Sequence, residues 1–258
     1  MSRVTDRIAN QNIIDLARKD YELSKRNKIP SEIISLPSGG KLYPATHPLR
    51  SGKIEMRYMT AYDEDILTNV SYIRENVVLD KLIDNLIVTP DVTVDDLAQA
   101  DKDALIIQAR ILSYGPEYPV QIIDPSTGNY VDRTVDLTKI KFLPFTLESD
   151  EFGEFEYKLI NGSTIRFTFL LGKDVKNLSS EKTVSSLLQH TIKQIDDSRN
   201  ATDIEDFIRY KFLARDAKQF RKFIEENTPG IDLEVEFEGE TGGTFTSKFQ
   251  LGSDFFWF

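Results

Sequence analysis

The apolar residues of this 258-residue chain change period three times, and that alternation constrains the fold more than any single motif does. Thr60, followed three residues later by Asp63, carries a helix-start signature in which side chain and backbone cap each other. Val77, Val78, Leu79, Leu82, Ile83, Leu86 and Ile87 then form a broad face at helical spacing, closed by Pro90. Thr93 with Asp96 repeats the signature for a short helix. Asp101 opens an apolar helix that runs to the stop at Gly115-Pro116. From Tyr118 the period falls to two. Tyr118–Ile123 and Tyr130–Leu137 read as one hairpin, and Phe155–Ile160 with Thr164–Leu171 as a second. Asn161-Gly162 lies between the second pair and suits a two-residue turn with both positions at positive φ. Helical spacing returns with Val184, Leu187, Leu188, Ile192 and Ile195. It returns again from a Thr202/Glu205 cap through Phe207, Phe212, Phe220 and Phe223 to Pro229-Gly230. Leu233–Phe237 and Thr244–Leu251 form a third hairpin. Helices, strands, helices and strands in that order predict an α+β fold with antiparallel hairpins.

The chain has no cysteine, so disulfides, thiolate metal sites and a cysteine nucleophile are excluded. No apolar run approaches the length of a membrane span, and residues 1–10 lack the apolar stretch of a secretory signal. Direct membrane insertion is not expected. The formal net charge is −10, which disfavours binding to phosphate backbones, so no nucleic-acid partner is expected. The charge is uneven. Residues 1–30 carry seven basic side chains against four acids on a Gly-free, thinly amphipathic helical pattern that ends at Pro30. This arm, with Arg3, Arg7, Arg18 and Lys19, is expected either to be a solvated helix face or to dock on an acidic surface.

Chemistry-bearing motifs are missing. His47 and His190 stand in no metal-binding context, and the phosphate-loop, dinucleotide and nucleophile-elbow patterns do not occur. The acids Asp63, Glu64, Asp65, Asp95 and Asp96 fall at helix starts, where the backbone dipole favours them. No catalytic residue, cofactor or metal ligand is assigned. Gly39 and Gly40 mark an ordered turn-rich loop between Leu36 and Pro44, followed by a strand at Ile54–Tyr58. Phe255, Phe256, Trp257 and Phe258 form an aromatic tail after Gly252-Ser253-Asp254. Such a tail either folds onto its own core or inserts into a neighbour, where aromatic residues are the usual hot spots. Neighbouring side chains of a strand face opposite ways, so four on one strand cannot all face the same sheet.

Five stretches taken in order carry a family resemblance. They are Leu36–Pro44, Ile54–Thr68, Val78–Ile83, Asp101–Gly115 and Val135–Leu137. The set resembles the baseplate hub and hub-assembly proteins of contractile-tailed, T-even-type bacteriophages, best over residues 33–175 and more loosely at the tail. The resemblance implies a late, non-enzymatic protein that works in the host cytoplasm during assembly and, if incorporated, in the virion tail baseplate. Its partners would be hub, spike, tape-measure or wedge subunits. An assembly chaperone absent from the mature virion is the alternative, and a tail-associated cell-wall hydrolase a further one. Relatives place a Cys-x-x-Cys where this chain has Ile123–Tyr130, so no zinc role carries over. The expected organisation is a basic helical arm at 1–30, a family-like α+β core domain with two hairpins at 31–175, and a unit at 176–258 with helices, a final hairpin and the aromatic tail.

Overall fold

A computed structural model describes residues 29–178 and 183–257. The basic arm with Arg3, Arg7, Arg18 and Lys19, and the last residue Phe258, lie outside the described residues.

Strand β1 (Ser31–Ser35) pairs antiparallel with β2 (Lys53–Arg57), and the Pro-Gly loop folds between them. The sequence pattern shows β2 but not β1, whose exposed Ile33 does not alternate in the way a half-buried strand does. The segment after Thr60 is three helices, not one: α1 (Ala61–Leu67), α2 (Val70–Arg74) and α3 (Val78–Leu86). Asn69 starts α2 by accepting hydrogen bonds from the backbone of Ser71 and Tyr72, and Asn76 at φ +56° breaks the chain before α3. The Thr60–Asp63 capping box is present, and the Thr93–Asp96 box caps a 3-10 turn at Val94–Asp96. Helix α4 (Gln99–Tyr114) packs on α3 and stops at Gly115, φ +88°.

Strands β3 (Glu117–Ile123) and β4 (Tyr130–Asp136) form the first long hairpin. After the short β5 (Lys141–Phe142), β6 (Phe155–Lys158) and β7 (Thr164–Phe167) form the second. Its turn differs from the two-residue form. Leu159 and Ser163 still pair through the backbone, so three residues make the loop, and of Asn161 and Gly162 only Gly162 has positive φ, at +92°. Asn161 instead uses its side-chain oxygen to accept from Ser163 N, as turn asparagines do.

Helix α5 (Gly172–Asn177) and α6 (Val184–Thr191) precede β8 (Ile192–Ile195), which adds to β7. Ile192 and Ile195 therefore belong to a strand, not to the amphipathic helix their spacing suggests. Asn200, not Thr202, caps α7 (Ala201–Asp206). A π turn at Phe207–Lys211 then ends the helix, and α8 (Ala214–Asn227) starts afresh after Leu213. Strand β9 (Ile231–Asp232) pairs with β5, and β10 (Glu234–Glu238) with β11 (Thr244–Lys248) makes the last hairpin. The tail is a 3-10 turn at Ser253–Phe256 rather than a strand.

The sheets are small and antiparallel, and one continuous apolar core joins them to the helices. Its centre is aromatic: Phe155, Phe167 and Phe169 meet one another at ring distances of 5.1–5.7 Å, and Phe167 meets Phe220 of α8 edge-on at 5.2 Å. Strand pairing crosses residue 176 twice, through β7–β8 and β5–β9. Among the described residues no helix is long and apolar enough to cross a membrane.

Candidate functional site: a groove between two hairpins

Two buried polar clamps hold the first half of the chain. In one, Asp101 of α4 accepts from Ser38 N at 2.9 Å, from the Ser38 hydroxyl at 2.8 Å and from the Tyr43 hydroxyl. Ala98 N donates in turn to the Tyr43 oxygen at 3.2 Å. Asp101 thus sits inside the first turn of its helix and pins the Leu36–Pro44 loop, rather than opening the helix. Burial pushes both the Asp101 carboxyl and the Tyr43 phenol above their ordinary values. Gly39 and Gly40 take positive φ in this loop, and a Cβ on Gly40 would meet Arg50 O at 2.5 Å. In the second clamp Arg57 of β2 holds Asp63 of α1. These clamps join residues of the quoted family stretches and expose no reactive group.

Each histidine is occupied locally. His47 Nδ1 accepts from Leu49 N at 3.2 Å and its ring stacks on Tyr43 at 5.4 Å, while His190 Nδ1 lies 2.9 Å from Ser186 O. Among the described residues no group of three or more His, Asp or Glu side chains is placed to hold a metal.

The surface with the most to offer is formed by the β3–β4 and β10–β11 hairpins, which are tied together at both ends. At the turn end, Asp124 accepts from Ser126 N and hydroxyl on one oxygen and from Glu240 N at 2.6 Å on the other. These bonds, Ser126 first, hold its carboxyl below the ordinary range. Glu240 returns the link by accepting from Thr127 at 2.7 Å and Asn129 at 3.0 Å. Along one side Arg133 donates to Glu238 O. At the other end the tail closes the pair: the Phe255 ring lies 4.8 Å from Tyr118 of β3 and 6.2 Å from Phe249, which follows β11. Beneath Tyr118 the guanidinium of the buried Arg110 lies 5.9 Å from the ring and donates to Gly115 O.

Between these ties a groove of about 590 Å³ stays open. Tyr118, Val120, Ile122, Phe237 and Phe249 contribute its apolar lining, and Lys248 and Asp254 its charges. At its turn end the cross-strand pair Ile123 and Tyr130 is 53% and 68% exposed.

The expected tail residues divide. Phe255 and Phe256 are buried in the chain's own core, with rings 5.7 Å apart, whereas Trp257 is 41% exposed. The four aromatics therefore do not act as one unit. The groove and the interlocked turns escaped sequence reasoning. The available signal was Glu234-Val-Glu-Phe-Glu238, whose strict alternation marks an acidic outward face on a half-buried strand.

No curated protein and no solved structure matches the chain. The model of the T4 bacteriophage base plate protein family matches residues 30–257, nearly all of the described chain, and the protein belongs to that family.

Proposed function

We propose that this phage baseplate protein acts at or near the central hub, as a structural subunit that works through protein–protein contacts. The observation that carries the reading is the hairpin pair: two acidic hairpins locked at both ends, with a groove left open between them and Trp257 exposed on the closing tail. Tied ends fix the shape of the surface, and a preorganised surface binds without the ordering cost of a loose one. Nothing in the clamps or near the histidines competes as a chemical site.

The test is the composition of purified virions. A subunit is present in mature tails at a fixed ratio to the other baseplate proteins. Presence in infected-cell extracts with absence from mature tails would replace the reading by the assembly chaperone, which works in the host cytoplasm and leaves.

A further inference from the structure

The two edges that border the groove differ. In β3 the backbone of Glu117, Pro119, Gln121 and Ile123 faces away from β4, because Asp124 N bonds Asn129 O and sets the alternation. Pro119 removes one donor from that edge, a common device against unwanted pairing. Strand β11 has no such guard. Gly239 N bonds Gly243 O, so Phe237–Phe245 and Val235–Ser247 are the hydrogen-bonded pairs. The backbone N–H and C=O of Thr244, Thr246 and Lys248 therefore point away from β10, and no strand among the described residues pairs with them. The edge runs into the groove at Ser247–Gln250.

Charge defines what fits there. Residues 117–136 and 231–254 hold ten acidic side chains against Arg133 and Lys248. On the outer face of the last hairpin, Glu234, Glu236 and Glu238 stand in line, opposite Lys248, Thr246 and Thr244. The short threonines leave Glu236 and Glu238 within reach of long side chains from a strand added on the β11 edge, about two strand spacings or ~10 Å away. On the inner face the added strand would meet Tyr118, Val120, Ile122 and Phe249.

We propose that β11 is a strand-addition site for an extended segment of a partner protein in which basic and apolar residues alternate. The segment pairs with Thr244, Thr246 and Lys248, lays its apolar side chains into the groove, and extends Lys or Arg over the threonine row towards Glu236 and Glu238. Main-chain bonds supply affinity in this mode and alternate side chains supply specificity. The proposal deepens the reading that the protein works by protein contact, and it is tested on the isolated chain, so virion composition does not decide it.

The experiment titrates the full-length protein with three synthetic ten-residue peptides: alternating Lys and Val, the same composition with the lysines in one block, and alternating Glu and Val. Binding is read by calorimetry and by amide hydrogen exchange. The alternating basic peptide should bind and protect the Thr244, Thr246 and Lys248 amides, at least tenfold tighter than either of the others. Thr246→Pro, which removes an outward-facing donor and breaks no bond to β10, should weaken it at least tenfold. The pair Glu236→Lys and Glu238→Lys, on the exposed face, should do the same and flatten the salt dependence, which keeps the test sound should Thr246→Pro disturb the hairpin. Equal binding of the blocked peptide, protection elsewhere than on β11, or no binding of the alternating basic peptide would overturn the proposal.

Discussion

Arg57 grips Asp63 through two parallel hydrogen bonds of 2.8 Å, with both side chains withdrawn from water. Asp63 also accepts from Thr60 N at 2.7 Å and from Asn85 at 2.5 Å, so one carboxylate caps α1, ties it to β2 and reaches α3. Asp63→Ala leaves the guanidinium buried without its partner and should cost about 3–5 kcal/mol in urea unfolding. Burial alone would raise this carboxyl, but the Arg57 and Thr60 bonds outweigh burial and hold it below the ordinary range. A depressed folded-state value gives stability that is present above the unfolded value of about 3.9 and is lost as pH falls through the folded one. On acidification the wild type should therefore lose stability relative to Asp63→Asn. A constant difference between the two across that range would refute the assignment.

Asp101 should show the opposite slope. Burial raises its carboxyl against the hydrogen bonds from Tyr43 and Ser38, so the folded chain holds the proton more tightly than the unfolded chain. Stability from this group is full below about pH 4 and is lost as pH rises through the raised value. Plotted as wild type minus Asp101→Asn, unfolding free energy should decline as pH rises above about 4. Tyr43→Phe removes the donor to Asp101 and the acceptor for Ala98 N, and should cost about 1–3 kcal/mol. Chemical denaturation at a series of pH values measures both effects.

Two glycines with positive φ should respond differently to substitution. Gly162, φ +92°, has no atom within 4 Å of an added Cβ, so Gly162→Ala meets backbone strain alone, about 1–3 kcal/mol. Gly40, φ +80°, combines the same strain with backbone atoms of Leu49, Arg50 and Gly52 at 2.5–2.7 Å. Gly40→Ala must shift the Pro48–Ser51 turn and should destabilise the chain more than Gly162→Ala does. Thermal melts of the two variants side by side decide the order, and equal losses would mean that the 36–52 loop yields easily.

Much of this fold is legible in the sequence where a local rule and the tertiary structure agree. Thr60 with Asp63, Thr93 with Asp96 and Gly115 end their elements as their types predict. Each failure has its own physical cause. Ile192 and Ile195 are three apart, which mimics a helix face. In the structure they oppose Phe167 and Ile165, two apart on β7, because a register shift between Arg166 and Phe167 inserts an extra residue. A bulge makes a strand read with a helical period. Leu213 breaks what looks like one helix because Phe212 N bonds Phe207 O in a π turn and brings the two rings to 5.3 Å, tilted by 31°. The groove is less legible still, since residues 118–123 and 247–250 meet only through contacts far apart in the chain.

The aromatic tail supplies the sharpest separation of stability from partner binding. Phe255 and Phe256 are almost wholly buried, with Phe255 wedged against Tyr118 and Phe249, so each belongs to the chain's own core. Phe255→Ala should cost about 3–5 kcal/mol, as large-to-small core changes do, and should loosen the last hairpin from β3. Trp257 has its backbone N–H satisfied by Asp254 O, while its side chain remains 41% exposed. Trp257→Ala should change stability by less than about 1 kcal/mol. If Trp257 is the tail's contact with a neighbour, the same variant should enter baseplates at least tenfold less well than the wild type, with an unchanged melting temperature. Normal incorporation of Trp257→Ala, alongside the loss of stability in Phe255→Ala, would make the whole tail a closure of the chain's own core and leave partner contact to the groove.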